Sequence, residues 1–183
     1  MKHLISICVA VILLLTAVGC EEKKGDASVT AEDSLYVSIP DTAIYGVVGE
    51  GTTMHVLELL AEDGRTLTFA VNQDSCSDVQ GGVFSGDKVT LTVREGSDGP
   101  EVVKLVNITS LFGKWTSIDR NFEIMQDGVV SGAVQTESNP YTQWSMANAN
   151  LILNADTFDV LLLGPDSMTI ENAKGIFVYK RQK

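Results

Sequence analysis

Short runs of aliphatic and β-branched residues, separated by Gly, Asp and Asn, recur from Leu35 to the C-terminus. Such runs are typical of β-strands bounded by turns. In the first half they predict strands at Thr53–Ala61, Thr66–Val71, Lys88–Val93 and Val102–Ile108. The sequence Glu62-Asp63-Gly64-Arg65 predicts a hairpin turn between the first two. One or two helical turns are an alternative for Met54–Ala61, although the Asp-Gly that follows favours a strand.

The second half repeats this pattern more densely. It predicts eight strands, at Lys114–Ile118, Phe122–Met125, Val129–Thr136, Tyr141–Met146, Leu151–Asn154, Thr157–Leu163, Ser167–Glu171 and Ile176–Lys180. Asp-Gly, Asn-Ala and Gly-Pro-Asp sequences stand between them as turns. Many short strands with closely spaced turns are typical of a sandwich or barrel. Because no segment carries a convincing helical period, we predict an all-β fold.

Two β-barrel domains are predicted, over residues 35–109 and 110–183. The first resembles a small OB-like barrel in its strand number and in the Gly-Gly-x-x-x-Gly-Asp-x-Val pattern that begins at Gly81. OB folds often bind oligonucleotides or sugars. Fold analogy alone does not assign a function, so the resemblance implies only an architecture here.

The second domain opens with the sequence LFGKW at 111–115 and ends with FVYKR at 177–181. This arrangement resembles the lipocalin-like domains of many Bacteroidetes lipoproteins. The resemblance implies a compact up-and-down barrel in which Gly113 and Trp115 close one end and Arg181 packs on the indole. Because the domain is short for eight strands, we expect side chains to fill its interior.

Residues 1–19 resemble the signal peptide of a bacterial lipoprotein. Lys2 gives a positive start, an apolar run too short to span a bilayer follows, and small residues precede Cys20. The resemblance implies cleavage before Cys20 and lipidation of its thiol; an ordinary secretory signal is the alternative. Glu21-Glu22 resembles the surface-export signal of Bacteroidetes lipoproteins. Residues 20–34 are charged and small, which predicts a flexible tether.

The charge and cysteine content narrow the possible partners. The formal net charge of −11 becomes −12 when Lys2 is removed with the signal peptide. An acidic chain repels phosphate backbones, so we expect no nucleic-acid partner. Cys20 and Cys76 are the cysteines that remain, and lipidation of Cys20 would exclude an intramolecular disulfide. We interpret Cys76 as a small apolar residue, with a reactive thiol as the alternative.

The mature chain lacks the common catalytic and cofactor motifs. His55 is its only histidine, and it contains no Cys-x-x-Cys, His-Glu-x-x-His, Gly-x-Ser-x-Gly or Gly-x-x-x-x-Gly-Lys sequence. We therefore predict no catalytic residues, no metal site, no cofactor and no enzymatic activity. The chain has enough Asp and Glu residues for a catalytic pair of carboxylates. We nevertheless interpret two groups of acidic residues as solvated surface. These groups are Asp74, Asp78 and Asp87, and Asp119, Glu123 and Asp127.

Aromatic residues give the candidate binding site. Tyr141 and Trp144 follow Pro140 in a predicted strand of the second barrel, where an exposed ring would stack on a sugar or a partner protein. A place for Trp144 in the barrel core is the alternative. The sequence thus predicts an outer-membrane lipoprotein, periplasmic or surface-exposed, held to the membrane by its lipid. Its predicted function is non-enzymatic binding of a protein or glycan partner; a lipocalin-like carrier of a small apolar ligand is the alternative.

Overall fold

The computed structural model describes residues 40–71, 77–132 and 140–183. These residues form an all-β structure with two sheets and a single 3-10 turn, Thr109–Leu111. The boundary predicted at 109/110 falls in this turn. The predicted signal peptide, Cys20, the tether, Asp74 and Cys76 lie outside the described residues.

The first sheet has six strands, and five of them close into a barrel. Its strands are β1 (Ile44–Val48), β2 (Val56–Ala61), β3 (Thr66–Ala70), β4 (Asp78–Gln80), β5 (Lys88–Gly96) and β6 (Gly99–Asn107). β1, β2 and β3 form an antiparallel meander, and β5 pairs antiparallel with both β1 and β6. A parallel pairing of Ala70 with Glu101 joins β3 to β6 and closes the barrel, while the short β4 adds to β6. This order confirms the predicted OB-like barrel.

Alternation along the strands explains the core of this barrel. Leu57, Leu59 and Ala61 of β2 point inwards and are buried, whereas Val56 and Leu60 are exposed. The β2–β3 hairpin turns at Gly64, whose φ of +84° suits glycine. The core side chains are Val48, Leu57, Leu59, Phe69, Val89, Leu91, Val102 and Leu105.

The second sheet is a nearly closed eight-stranded barrel. Its strands are β7 (Gly113–Thr116), β8 (Asn121–Ile124), β9 (Val130–Gly132), β10 (Trp144–Ala147), β11 (Asn150–Leu153), β12 (Asp156–Leu163), β13 (Ser167–Asn172) and β14 (Gly175–Arg181). Neighbours in sequence pair antiparallel except β9 and β10, which are the two edges of the sheet, and β14 pairs with β7. A bridge between Val129 and Gln143 links the β9 and β10 sides. This up-and-down arrangement confirms the compact lipocalin-like barrel.

Two strands of the first barrel are absent from the sequence prediction. β1 contains Gly46, and glycine is depleted in strands. Glycine is nevertheless required at this position, because a Cβ there would lie 2.4 Å from the Leu60 carbonyl oxygen. β4 has three residues, too few to show an alternating pattern. In the second barrel, β10 begins at Trp144, three residues after the predicted start at Tyr141.

The two barrels belong to one compact unit, Ile39–Lys183. Val106 of β6 is fully buried in the core of the second barrel. The Gly81 amide donates to the Leu163 carbonyl oxygen at 2.9 Å, and Lys104 forms an ion pair with Asp159. The outer side of β6 therefore packs against the second barrel.

The segment before β1 also joins the barrels. The Asn148 amide of the β10–β11 turn donates to Asp41 at 2.8 Å, and the Tyr45 hydroxyl lies 2.6 Å from Asp41 and 2.9 Å from the Met146 carbonyl oxygen. Partial burial opposes ionisation of Asp41, but its hydrogen bonds with Tyr45, Asn148 and Ala43 lower its pKa overall. Burial, followed by the hydrogen bond to Asp41, raises the pKa of Tyr45.

Replacing Asp41 by Asn should destabilise the protein at pH 7 by about 0.5–1 kcal/mol, a small cost because the carboxylate is exposed. A lowered pKa stabilises the fold above the unfolded pKa of about 4, and that stability is lost as pH falls through the folded pKa. Urea unfolding of wild type and D41N at pH 7 and pH 3 should therefore give a difference that shrinks at pH 3. The exposed Asp119, replaced by Asn, is the control. A D41N cost that is equal at both pH values would contradict this assignment.

Candidate functional site

An open groove lies between the β1–β2 loop, the adjoining ends of β2 and β3, and strand β4. Its volume is about 400 Å³, within the range of roughly 300–1,000 Å³ for ligand sites. It is lined by Thr52, Thr53, Met54, Leu57, Val71, Ser77, Val79 and Val83. These residues come from four separate stretches of the first barrel, and only folding brings them together.

The groove has an aliphatic floor and one exposed apolar side chain at its rim. Leu57 is fully buried, whereas 68% of Met54 is exposed. A flexible, polarisable thioether adapts to different apolar surfaces. The lining residues are Thr, Ser, Met, Leu and Val, so none of them can act as a general acid or base at neutral pH. The described part of the lining can therefore bind an apolar group.

Two of the three hydroxyl groups in the groove already have partners within the protein. Thr52 Oγ1 accepts from the Glu58 amide at 3.1 Å and lies 3.2 Å from the Glu58 carbonyl oxygen. Ser77 Oγ donates to the Val102 carbonyl oxygen at 2.7 Å. Within the described residues, the hydroxyl of Thr53 makes no such bond. The hydrogen-bonding capacity of the groove towards a ligand is correspondingly small.

The predicted binding residues Tyr141 and Trp144 lie in the second barrel, away from the groove lining. Tyr141 is only 7% exposed, and its ring packs edge-to-face with Phe122 and Phe158. Trp144 is half-buried, and its Nε1 donates to the Met125 carbonyl oxygen at 2.7 Å. Both rings are thus engaged in packing, and Tyr141 offers no exposed face for stacking.

Aromatic side chains occupy much of the interior of the second barrel. Phe122 contacts both Tyr141 and Tyr179, with ring centroids 5.5 and 5.0 Å apart. Phe158 contacts Tyr141 and the half-buried Phe177. Edge-to-face pairs of this kind add roughly 0.5–1.5 kcal/mol each beyond the burial of their surface. The cluster fills much of the interior of this barrel.

Gly113, Trp115 and Arg181 meet at the start of β7. The Arg181 guanidinium lies 4.2 Å from the centre of the Trp115 ring system and donates to the carbonyl oxygens of Ser110, Phe112 and Pro165, each at 2.6 Å. Burial lowers the pKa of Arg181, although the Asp166 carboxylate partly opposes this. Trp115 is 1% exposed. The contacts link β14 to the segment between the barrels.

His55 is exposed and directly precedes β2. Among residues 40–71, 77–132 and 140–183, no three His, Cys, Asp or Glu side chains are grouped so that they could hold a metal ion. Within the same part of the chain, none of the helical structure has the length and apolarity of a membrane span.

Comparisons with protein-family models, with curated proteins and with solved structures found no match to this chain. Its function therefore has to be inferred from its own residues. The sequence did not indicate the groove, because Met54 and Val79 resemble ordinary strand residues in a local pattern. Met54 stands near the start of the run Thr53–Ala61, and no local signal in the sequence marks it as exposed.

We expect Gly113→Ala to destabilise the protein more than Gly175→Ala. Both glycines have φ in the left-handed region, +122° and +137°, where any side chain is strained. A Cβ on Gly113 would also lie 2.9 Å from Arg181 Nη1, whereas nothing lies within 4 Å of one on Gly175. Thermal and urea unfolding should show a cost of about 1–3 kcal/mol for Gly175→Ala and about 1 kcal/mol more for Gly113→Ala. An equal loss of stability in the two variants would mean that the position of Arg181 does not depend on a glycine at 113.

Proposed function

We propose that this protein is a lipid-anchored lipoprotein of the cell envelope and a non-enzymatic binding module for a protein or glycan partner. The groove of the first barrel is the proposed binding site. The observation that carries this proposal is an open groove of about 400 Å³ with an aliphatic floor and an exposed Met54. Apolar concave surfaces with few polar groups are the usual form of binding sites.

Two further observations support a binding role over the alternatives. The lining residues that the structure describes contain no titratable side chain, which favours binding over catalysis. The aromatic cluster inside the second barrel leaves little room for a ligand, which favours the binding module over the lipocalin-like carrier. We therefore interpret the second barrel as a packed scaffold beside the groove.

The anchor is proposed from residues 1–20 alone. Cleavage before Cys20 and lipidation of its thiol would tie the chain to the outer membrane, on its periplasmic or its external face. The segment from Cys20 to Pro40 would join the lipid to the first barrel.

Cys20→Ser should abolish the incorporation of labelled fatty acid and release the protein from the membrane fraction. Cells that produce wild type or the variant are labelled with palmitate and fractionated, and Cys76→Ser is the matched control. The control should keep both its label and its membrane association. Label retained by Cys20→Ser would refute the proposed anchor.

A photoreactive residue in place of Met54 should form a discrete covalent adduct when intact cells are irradiated. The matched control carries the same residue at Ile176, an apolar side chain of the second barrel with a similar exposure of 59% against 68%. Adducts at position 54 but not at position 176 would support the groove as the binding site. Equal labelling at both positions, or none at position 54, would count against it.

A further inference from the structure

We infer that the groove of the first barrel binds an aliphatic side chain carried by a basic polypeptide segment. This inference rests on the proposed function, since it assumes that the groove is the binding site. The partner is a protein whose bound segment is rich in Lys or Arg. Three features of the groove and of the barrel around it favour such a partner.

The first feature is the division of charge between the barrels. Residues 40–109 contain eleven acidic and four basic side chains, a formal charge of −7, whereas residues 110–183 contain eight acidic and six basic side chains, a formal charge of −2. The negative potential is therefore concentrated on the barrel that carries the groove. A summed charge of this size attracts cationic partners and repels anionic ones.

The second feature is that most cations of the first barrel are already neutralised. Arg65 pairs with Asp63, Arg94 with Glu101, and Lys104 with Asp159 of the second barrel. Lys88 is the fourth basic residue between 40 and 109. The excess acidic side chains thus have few internal counter-charges, and a basic partner would supply them. Fatty acids and phosphorylated ligands would face the same repulsion as nucleic acids.

The third feature is the chemistry of the groove, which suits an aliphatic side chain better than a sugar. A sugar needs hydrogen-bonding groups, and the hydroxyls of Thr52 and Ser77 are bonded within the protein. No aromatic ring is among the lining residues, so a stacking platform is not available either. Leu57, Val71, Val79 and Val83 instead form an apolar floor, against which Leu, Ile, Val or Met would bury its surface.

Fluorescence anisotropy with short labelled peptides and the full mature chain tests this inference. One peptide carries a central Leu flanked by Lys, the second has Glu in place of Lys, and the third has Ser in place of Leu. We expect the Lys-flanked Leu peptide to bind, with an affinity that falls as salt is added. The other two should bind at least about ten-fold more weakly, because one has lost the charge attraction and the other the buried side chain.

Two variants of Thr53, an exposed residue of the groove lining, separate charge from shape. Thr53→Lys should weaken binding of the Lys-flanked Leu peptide about five- to ten-fold, whereas Thr53→Glu should leave it equal or tighter. Met54→Ser should weaken it, and Val178→Ser on the outside of the second barrel should not. Thermal unfolding of each variant checks that the fold is intact.

Equal weakening by Thr53→Lys and Thr53→Glu, or equal binding of the Lys-flanked and Glu-flanked peptides, would overturn the inference. If no peptide binds while the residue at position 54 forms a glycan adduct in cells, the basic-peptide inference fails and the proposed function stands. If there is neither peptide binding nor an adduct at position 54, both fail.

Discussion

The Arg181 side chain is the contact on which the rest of the architecture depends. One guanidinium stacks on Trp115 and donates to three carbonyl oxygens, two of them in the short segment that links the barrels. A charge-assisted hydrogen bond is worth about 1.5–3 kcal/mol, more than a neutral one. Because Arg181 is near the end of the last strand, the contact joins the C-terminal end of the second barrel to the segment that follows the first. Leu111 lies between Ser110 and Phe112, the two residues of the linking segment that Arg181 contacts. Its carbonyl oxygen accepts from Trp115 Nε1.

The junction between the barrels determines which surfaces remain open for binding. Thr90 and Val106 are opposite each other on β5 and β6, and both are fully buried although they lie outside the core cluster of the first barrel. The segment before β1 adds the contacts of Asp41 and Tyr45 with the β10–β11 turn. The groove is built instead from the β1–β2 loop and the region around β4, so its rim at Met54 stays exposed.

The fold could be predicted further than the site, for a physical reason. Period-two alternation and turn residues are local signals, and they correctly indicated the β2–β3 hairpin and the series of strands in the second barrel. The sequence did not indicate β1, because glycine is uncommon in strands and Gly46 is needed only for the close approach of β2. Such an approach is a tertiary contact, which a local pattern does not show. A local pattern also does not show whether an aromatic side chain is buried. Tyr141 follows a proline, and its burial depends on contacts with Phe122 and Phe158 from other strands.

The two barrels differ in interior packing and in charge. The second has a packed aromatic interior and a formal charge of −2. The first barrel carries the larger excess of negative charge and the groove, and within the described residues the pair Ala70 with Glu101 joins β3 to β6. Binding sites are commonly found where regular pairing ends. The groove lies beside this closure, since Val71 directly follows Ala70 and lines it. Its position is therefore a consequence of how the first barrel closes.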